Sequence, residues 1–413
     1  MTALWHPFAD MGAVERDGEL VLARGQGARV WDEMGREYLD ATAGLWFANV
    51  GHGRREIADA VGAQAARLAA HHTFGDLANR PALALAERVA SIAPVAGSKV
   101  FFTSGGSDSV DSAVKLARRY WSQVGEPQRT VVVVRDKAYH GMHMAGTSLA
   151  GIEDNRQGYG ELDPDVVRVP WDDAAALAKA VDDIGADRVA AFFCEPVIGA
   201  GGVFAAGPQY LADVRQVCAE RDVLYVSDEV VTGFARTGAW FASTRYGLEP
   251  DVLLCAKGIT SGYVPMGAVV AAPRVAEPFW SSASGAGTTW RHGYTYSGHA
   301  VAAAAGLVAL DIIESEGLSE RALELESLLA QTLRPLADLA SVAEVRAGTG
   351  VLAAVQMADA SLVAPAVAGL RQSGVLTRGL WGGALQISPP LVIGDAEVAE
   401  LGTALHDVLA ALP

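Results

Sequence analysis

The sequence is poor in cysteine, in basic residues and in long apolar runs, and each shortage narrows what the protein can be. Three cysteines occur in 413 residues, Cys194, Cys218 and Cys255, all in apolar contexts and without Cys-x-x-Cys or histidine-paired spacing. This excludes a disulfide scaffold, offers no metal-binding pattern, and leads us to expect reduced core thiols in a cytoplasmic protein. Lysine and arginine total 32 against 48 acidic residues, a formal charge of -16. Such a field repels nucleic acid and anionic membranes, so neither is expected as a partner. The alanine-rich stretch Ala300–Leu310 is too short to span a bilayer, and the opening Met-Thr-Ala-Leu-Trp-His-Pro-Phe lacks the basic region and apolar core of a signal peptide. Repeats and low-complexity linkers are also missing.

What is present is apolar material: 51% of residues are hydrophobic and 19% charged, a globular composition. The length exceeds what one core usually supports, so a large and a smaller domain are expected. Residues 1–60 read as an N-terminal arm, with strand-like Leu20–Leu22 and Arg29–Asp32 and a glycine-rich, aromatic segment, Ala43–Gly53. Over 61–315, helical stretches alternate with apolar runs at Lys99–Thr103, Thr130–Val134, Arg188–Cys194, Val223–Ser227, Val252–Ala256 and Gly267–Ala271. Alternation of this kind predicts an α/β fold with a mostly parallel, helix-covered sheet, whose ligands gather at the carboxyl ends of the strands. Residues 316–413 carry helices over 318–333, 362–372 and from Asp395, with strand-like 350–357 and 374–377; with the arm they should form the smaller domain.

Two of the runs end in complementary chemistry. Lys257 follows Val252–Ala256 and precedes Gly258, where a turn delivers its amine to the mouth of a buried strand. Partial loss of hydration there lowers a lysine's pKa and frees the neutral amine to form an imine. The bland alternative is a strand-capping lysine with its head in water. Val223–Ser227 ends in Asp228 and Glu229. An aspartate so placed can hold a heteroaromatic nitrogen protonated, and lysine plus such an acid is what pyridoxal phosphate requires. Taken singly, either acid is equally a solvated charge.

Other runs end in suggestive residues. Phe101-Phe-Thr-Ser-Gly-Gly-Ser-Asp-Ser-Val110 leads a strand through a glycine turn into a helix, so that backbone N–H groups at Gly105 and Gly106, the Ser107 hydroxyl and the helix dipole can converge on a phosphate. It is neither a lysine-bearing P-loop nor Gly-x-Gly-x-x-Gly, and a plain cap and turn would read the same. Tyr139 and His140 follow the valine run, where an aromatic ring can lie against a planar ligand, and Glu195 closes Ala190–Cys194, where a carboxylate needs a partner. Gly287–His299 crowds hydroxyls and aromatics before a helix, as a second phosphate loop or only a capped helix start. Trp46 suits a pocket wall or the core. Arg378, a lone guanidinium in Gly374–Trp381, can pair with a substrate carboxylate or with a protein acid.

Together, Thr103–Asp108, Ala138–Gly141, Glu195–Gly202, Asp228–Gly238, Ala256–Gly258 and His292–His299 resemble the class III pyridoxal-phosphate aminotransferases over nearly the whole chain. The resemblance implies an α/β fold of type I, pyridoxal 5′-phosphate as cofactor, and a homodimer, or a tetramer built from it, with shared active sites. It implies that Lys257 holds the cofactor and shuttles the proton, Asp228 meets the pyridine nitrogen, and Tyr139 and Val230 pack on the two ring faces. Gly106 and Ser107 match phosphate binders, Gly105 stands beside them in the cofactor-binding turn, His140 belongs to the cofactor site, Glu195 is a supporting acid, and Tyr294 and Thr295 match a phosphate loop from the neighbouring subunit. Gly105, Asp108, Ala235 and Ala300 depart from the usual serine, glutamate, glycine and proline. The opening Leu-Trp-His-Pro-Phe, Gly44–Phe47 and Arg378 ahead of Ile387–Leu391 look like the ω-transaminase branch, which passes an amine to pyruvate; there Trp46 shapes the pocket and Arg378 swings toward an acceptor carboxylate or away to admit an apolar group. On the same fold, a mutase, racemase or decarboxylase is the nearest alternative, and a non-catalytic scaffold a more distant one.

Overall fold

Valine-rich runs cannot be solvated on either face, and here they stack into one sheet between helices. A computed structural model describes residues 2–280 and 288–413. Its central sheet has seven strands, in the order Lys99–Thr103, Gly267–Ala271, Val252–Cys255, Leu224–Asp228, Val189–Cys194, Val131–Arg135 and Val166–Val169. Gly267–Ala271 runs antiparallel to both neighbours, and the remaining pairings are parallel. Val131–Arg135, Val189–Cys194 and Leu224–Asp228 are buried along their whole length, which is why they read as continuous apolar runs.

Apolar clusters cover both faces of the sheet. On one side the helix Gly106–Gln123 buries Val110, Val114, Ala117 and Trp121, and Trp121 Nε1 donates to the Ala190 carbonyl at 2.8 Å. On the other, Pro208–Glu220 and Ala174–Ile184 pack Leu211, Val214, Leu177 and Val181 against Phe192 and Tyr225. The parallel register pairs Asp228 with Leu254. Asp228 and the turn that holds Lys257 therefore leave the sheet side by side at its carboxyl edge.

Two further sheets of four strands flank the central one. Leu22–Gln26, Arg29–Asp32 and Glu37–Asp40 form an antiparallel meander that Val375–Leu376 joins in parallel. Val342–Arg346, Ala353–Met357, Ala384–Ile387 and Gly379–Leu380 make the other. The first strand begins at Leu22, later than the expected Leu20–Leu22, because pairing with Arg29–Asp32 sets its limits. Among the described residues, five strands escaped the sequence reading: Glu37–Asp40, Val166–Val169, Val342–Arg346, Gly379–Leu380 and Ala384–Ile387. Among the described residues, no helix is long and apolar enough to cross a membrane.

Candidate active site

Lys257 sits in a strained turn. Its φ of 47° lies in the left-handed region, which costs a non-glycine residue about 1 kcal/mol or more. Gly258 makes the turn possible, since a Cβ there would lie 2.7 Å from Asn49 Nδ2 and 2.9 Å from Phe234 Cβ. The amine is thereby pushed into a cavity of about 370 Å³ at the carboxyl edge of the sheet. Burial brings its pKa from 10.5 down to about 8, Asp228 and Glu195 pulling the other way and Arg378 adding to the drop.

Asp228 lines the same cavity and is 4% exposed. Its Oδ1 accepts from Val230 N at 3.1 Å and its Oδ2 from His140 Nδ1 at 2.8 Å. An ionised carboxylate can only accept, so Nδ1 carries the hydrogen. His140 is itself buried edge-on to Phe193, with Nε2 unpartnered among the described residues. Glu195 is buried behind the site, where its Oε1 accepts from Tyr139 N at 2.9 Å and its Oε2 from Gly199 N at 3.0 Å. Burial raises its pKa, His140 opposing. It thus fixes the backbone that presents Tyr139 to the cavity.

At the start of Gly106–Gln123, Ser104, Gly105, Gly106 and Ser107 line the cavity, and the Asp108 carboxylate accepts from Ser104 N at 2.9 Å. Two glycines keep this floor open. A Cβ on Gly106 would lie 3.0 Å from Val230 Cγ1, and one on Gly141, whose φ is +85°, 2.5 Å from Ser107 Oγ. Val230 and Tyr139 both line the cavity. An amine, a carboxylate, two side chains suited to flank a ring, and the start of an 18-residue helix fit a planar nitrogen heterocycle carrying a phosphate.

Trp46 and Arg378 are not among the residues that line this cavity, although Arg378 is close enough to depress the pKa of the Lys257 amine. Trp46 is 3% exposed in a cluster with Val197, Val203 and Leu380, while its neighbours Leu45 and Phe47 reach the cavity. The Arg378 guanidinium lies 4.7 Å above the Trp46 ring and donates through Nε to Gln386 Oε1 at 2.7 Å. Burial lowers its pKa to about 10, against the pull of Tyr139. Tyr294 and Thr295 do not line this cavity. Tyr294 shares a 3.2 Å hydrogen bond with Ser112 Oγ and lies as close to the Asp108 carbonyl, and Thr295 is exposed. Their loop is pinned by His292, which bridges Lys115 Nζ at 2.8 Å and Ser112 Oγ at 2.7 Å. Burial and the Lys115 charge lower its pKa to about 4. Gly287, where the sequence reading began this loop, lies outside the described residues.

Sequence reasoning did not single out Phe47, Leu45, Thr260 or Met266 as lining residues. Phe47 left a trace: a Cβ on Gly262 would fall 2.2 Å from its ring, so an aromatic and a distant glycine are matched.

Fold and site together define an α/β enzyme of the fold-type I kind, built for chemistry on a primary amine. The chain belongs to the class III aminotransferases, whose family model matches residues 12–409. A putrescine–pyruvate aminotransferase from Pseudomonas aeruginosa is 36% identical over 96% of this chain and 92% of that protein. Among solved structures, an (S)-enantioselective omega-transaminase from Thermomicrobium roseum matches with a TM-score of 0.94 at 36% identity, over 98% of this chain and 95% of that one. An amine transaminase from an uncultivated Pseudomonas species, in its PLP-bound form, matches at 0.93 and 36% identity over 99% of each chain. Aminotransferases of this class work with pyridoxal 5′-phosphate and move an amino group from an amine donor to a keto acid acceptor.

Proposed function

We propose that this aminotransferase transfers the amino group of a primary amine or ω-amino acid to pyruvate, with Lys257 and Asp228 as its catalytic residues. The observation that carries the reading is their convergence on one cavity, the lysine amine brought to a pKa of about 8. When bound, pyridoxal 5′-phosphate supplies an electron-accepting ring for the carbon that loses its proton. Lys257 Nζ, neutral in a useful fraction near pH 8, takes the proton from the amine-bearing carbon and returns it to the carbon on the other side of the nitrogen. Asp228, oriented by His140 and by Val230 N, presents negative charge to the ring nitrogen. Tyr139, set by Glu195, and Val230 hold the two faces.

Backbone N–H groups at Gly105 and Gly106, with Ser107, receive the phosphate at the helix start. Tyr294 and Thr295 serve the neighbouring subunit's phosphate, a reading supported by the exposure of Thr295 and by both residues lying off their own cavity. The working unit is then a homodimer, or a tetramer of two dimers. Arg378, backed by Trp46, receives the acceptor's carboxylate. Leu45 and Phe47 exclude water. The division into an arm (1–60), a large cofactor-binding domain (61–315) and a small domain (316–413) is supported by the pairing of Val375–Leu376 with Glu37–Asp40. Three buried thiols support a cytoplasmic location.

A donor panel of β-alanine, putrescine and arylalkyl amines with pyruvate tests this, read as alanine formed. Alanine should appear with at least one donor and vanish in Lys257→Ala. Carbon dioxide release or a racemised donor without alanine would overturn it.

A further inference from the structure

Gln386 is buried with 0% exposure in the strand Ala384–Ile387, and the only side chain of the described residues that its amide hydrogen-bonds is that of Arg378. Nε2 donates to the Thr42 carbonyl at 3.3 Å, which turns Oε1 toward Arg378 Nε at 2.7 Å. The orientation is unambiguous, because guanidinium only donates and a carbonyl only accepts. The two residues are also joined through the main chain, Gln386 N donating to the Arg378 carbonyl at 3.0 Å. With Nε tethered and one face over Trp46, the plane of the guanidinium is set. Among the described residues, the guanidinium's one hydrogen bond is through Nε, none reaching its two terminal nitrogens. The tether is neutral as well. A carboxylate at this position would cancel the arginine's charge, whereas an amide orients it and leaves the charge for a ligand.

We propose that Gln386 sets acceptor specificity: it holds Arg378 in the orientation that receives a substrate carboxylate, and losing the tether frees the arginine to leave. The proposal rests on the reading of Arg378 as the carboxylate receptor. Gln386 is a positioning residue and acts only through Arg378.

The test uses the holoenzyme carrying Gln386→Met, which keeps the volume and removes the acceptor, and in parallel Gln386→Glu, which keeps the acceptor and adds a charge. Stopped-flow measurement separates the pyruvate half-reaction from that of an amine donor without a carboxylate, and propionate, an unreactive carboxylate, is titrated as an inhibitor. Gln386→Met should lower kcat/KM for pyruvate about tenfold, mainly in KM. Propionate should weaken by a similar factor, and the amine half-reaction should hold within about twofold. Gln386→Glu should weaken both carboxylates too, by neutralising the arginine. In an Arg378→Ala background, Gln386→Met should cost nothing more.

Equal loss in both half-reactions, loss that adds to that of Arg378→Ala, or no loss in either variant would overturn the proposal. If Arg378→Ala itself spares pyruvate, the receptor reading falls and the tether with it. If Arg378→Ala loses pyruvate and the Gln386 variants do not, the tether alone falls.

Discussion

Replacing Lys257 by methionine in the cofactor-free protein should stabilise the fold at neutral pH. The ammonium lies in a cavity where burial holds its pKa at about 8 instead of 10.5. At 1.36 kcal/mol per tenfold, folding a charged lysine into that site costs about 3 kcal/mol at pH 7. A lysine whose folded pKa is depressed opposes folding in full below the folded value, less and less up to the unfolded value, and not at all beyond it. The folded state holds fewer protons between pH 8 and 10.5, so raising the pH through that window favours folding of the parent. Lys257→Met lacks the group and does not share this gain. Its advantage should therefore shrink from about 3 kcal/mol at pH 7 to about 1 kcal/mol at pH 10. Urea unfolding of both proteins across that range, read as the difference between them, cancels the titrating groups that do not interact with Lys257, leaving Lys257 and its partners Asp228, Glu195 and Arg378. An advantage that did not change with pH, or a methionine variant less stable than the parent at pH 7, would refute the buried-amine argument.

Asp228→Asn should preserve the fold and lower turnover by about 10² to 10³, since an amide cannot hold charge at the ring nitrogen; activity within a few-fold of the parent would mean the wrong acid. Gly141→Ala, which drives a Cβ to 2.5 Å from Ser107 Oγ at a φ of +85°, should weaken cofactor retention at least about tenfold by equilibrium dialysis while costing about 1 to 3 kcal/mol of stability; unchanged retention would place the phosphate elsewhere. Subunit mixing tests the shared site: Thr295→Ala and Lys257→Ala subunits, each impaired alone, should recover one parental site per hybrid dimer. No recovery would mean that Thr295 serves its own cavity or none.

Legibility followed how locally each feature is determined. Val131–Arg135 and Val189–Cys194 were readable because burial on both faces demands continuous apolar sequence. Val166–Val169 and Val342–Arg346 were not, because charged residues at solvent-reachable positions, Arg168 in the first and Glu344 and Arg346 in the second, break the apolar pattern. Lys257 and Asp228 stood out as charges ending apolar runs, and parallel register brings such ends together. The His140 hydrogen bond to Asp228 and the two backbone N–H groups on Glu195 were beyond reach, since they depend on loops whose course no local pattern encodes. Gln386 reads as one more residue in Ala-Leu-Gln-Ile, and its importance emerges only from Thr42 and Arg378 on either side. Trp46 could be read as pocket wall or core; at its φ of 61° it turns into the core and backs Arg378.

The central claim is that this chain moves an amino group from donor to keto acid, and following the nitrogen tests it most directly. The holoenzyme is incubated with a ¹⁵N-labelled amine that the donor panel has identified and with unlabelled pyruvate, and the products are weighed by mass spectrometry. The account predicts that alanine appears one mass unit heavy, in step with the ketone or aldehyde of the donor, and that Lys257→Ala forms neither. Label recovered as free ammonia, or in a decarboxylated or isomerised donor with no alanine formed, would contradict it.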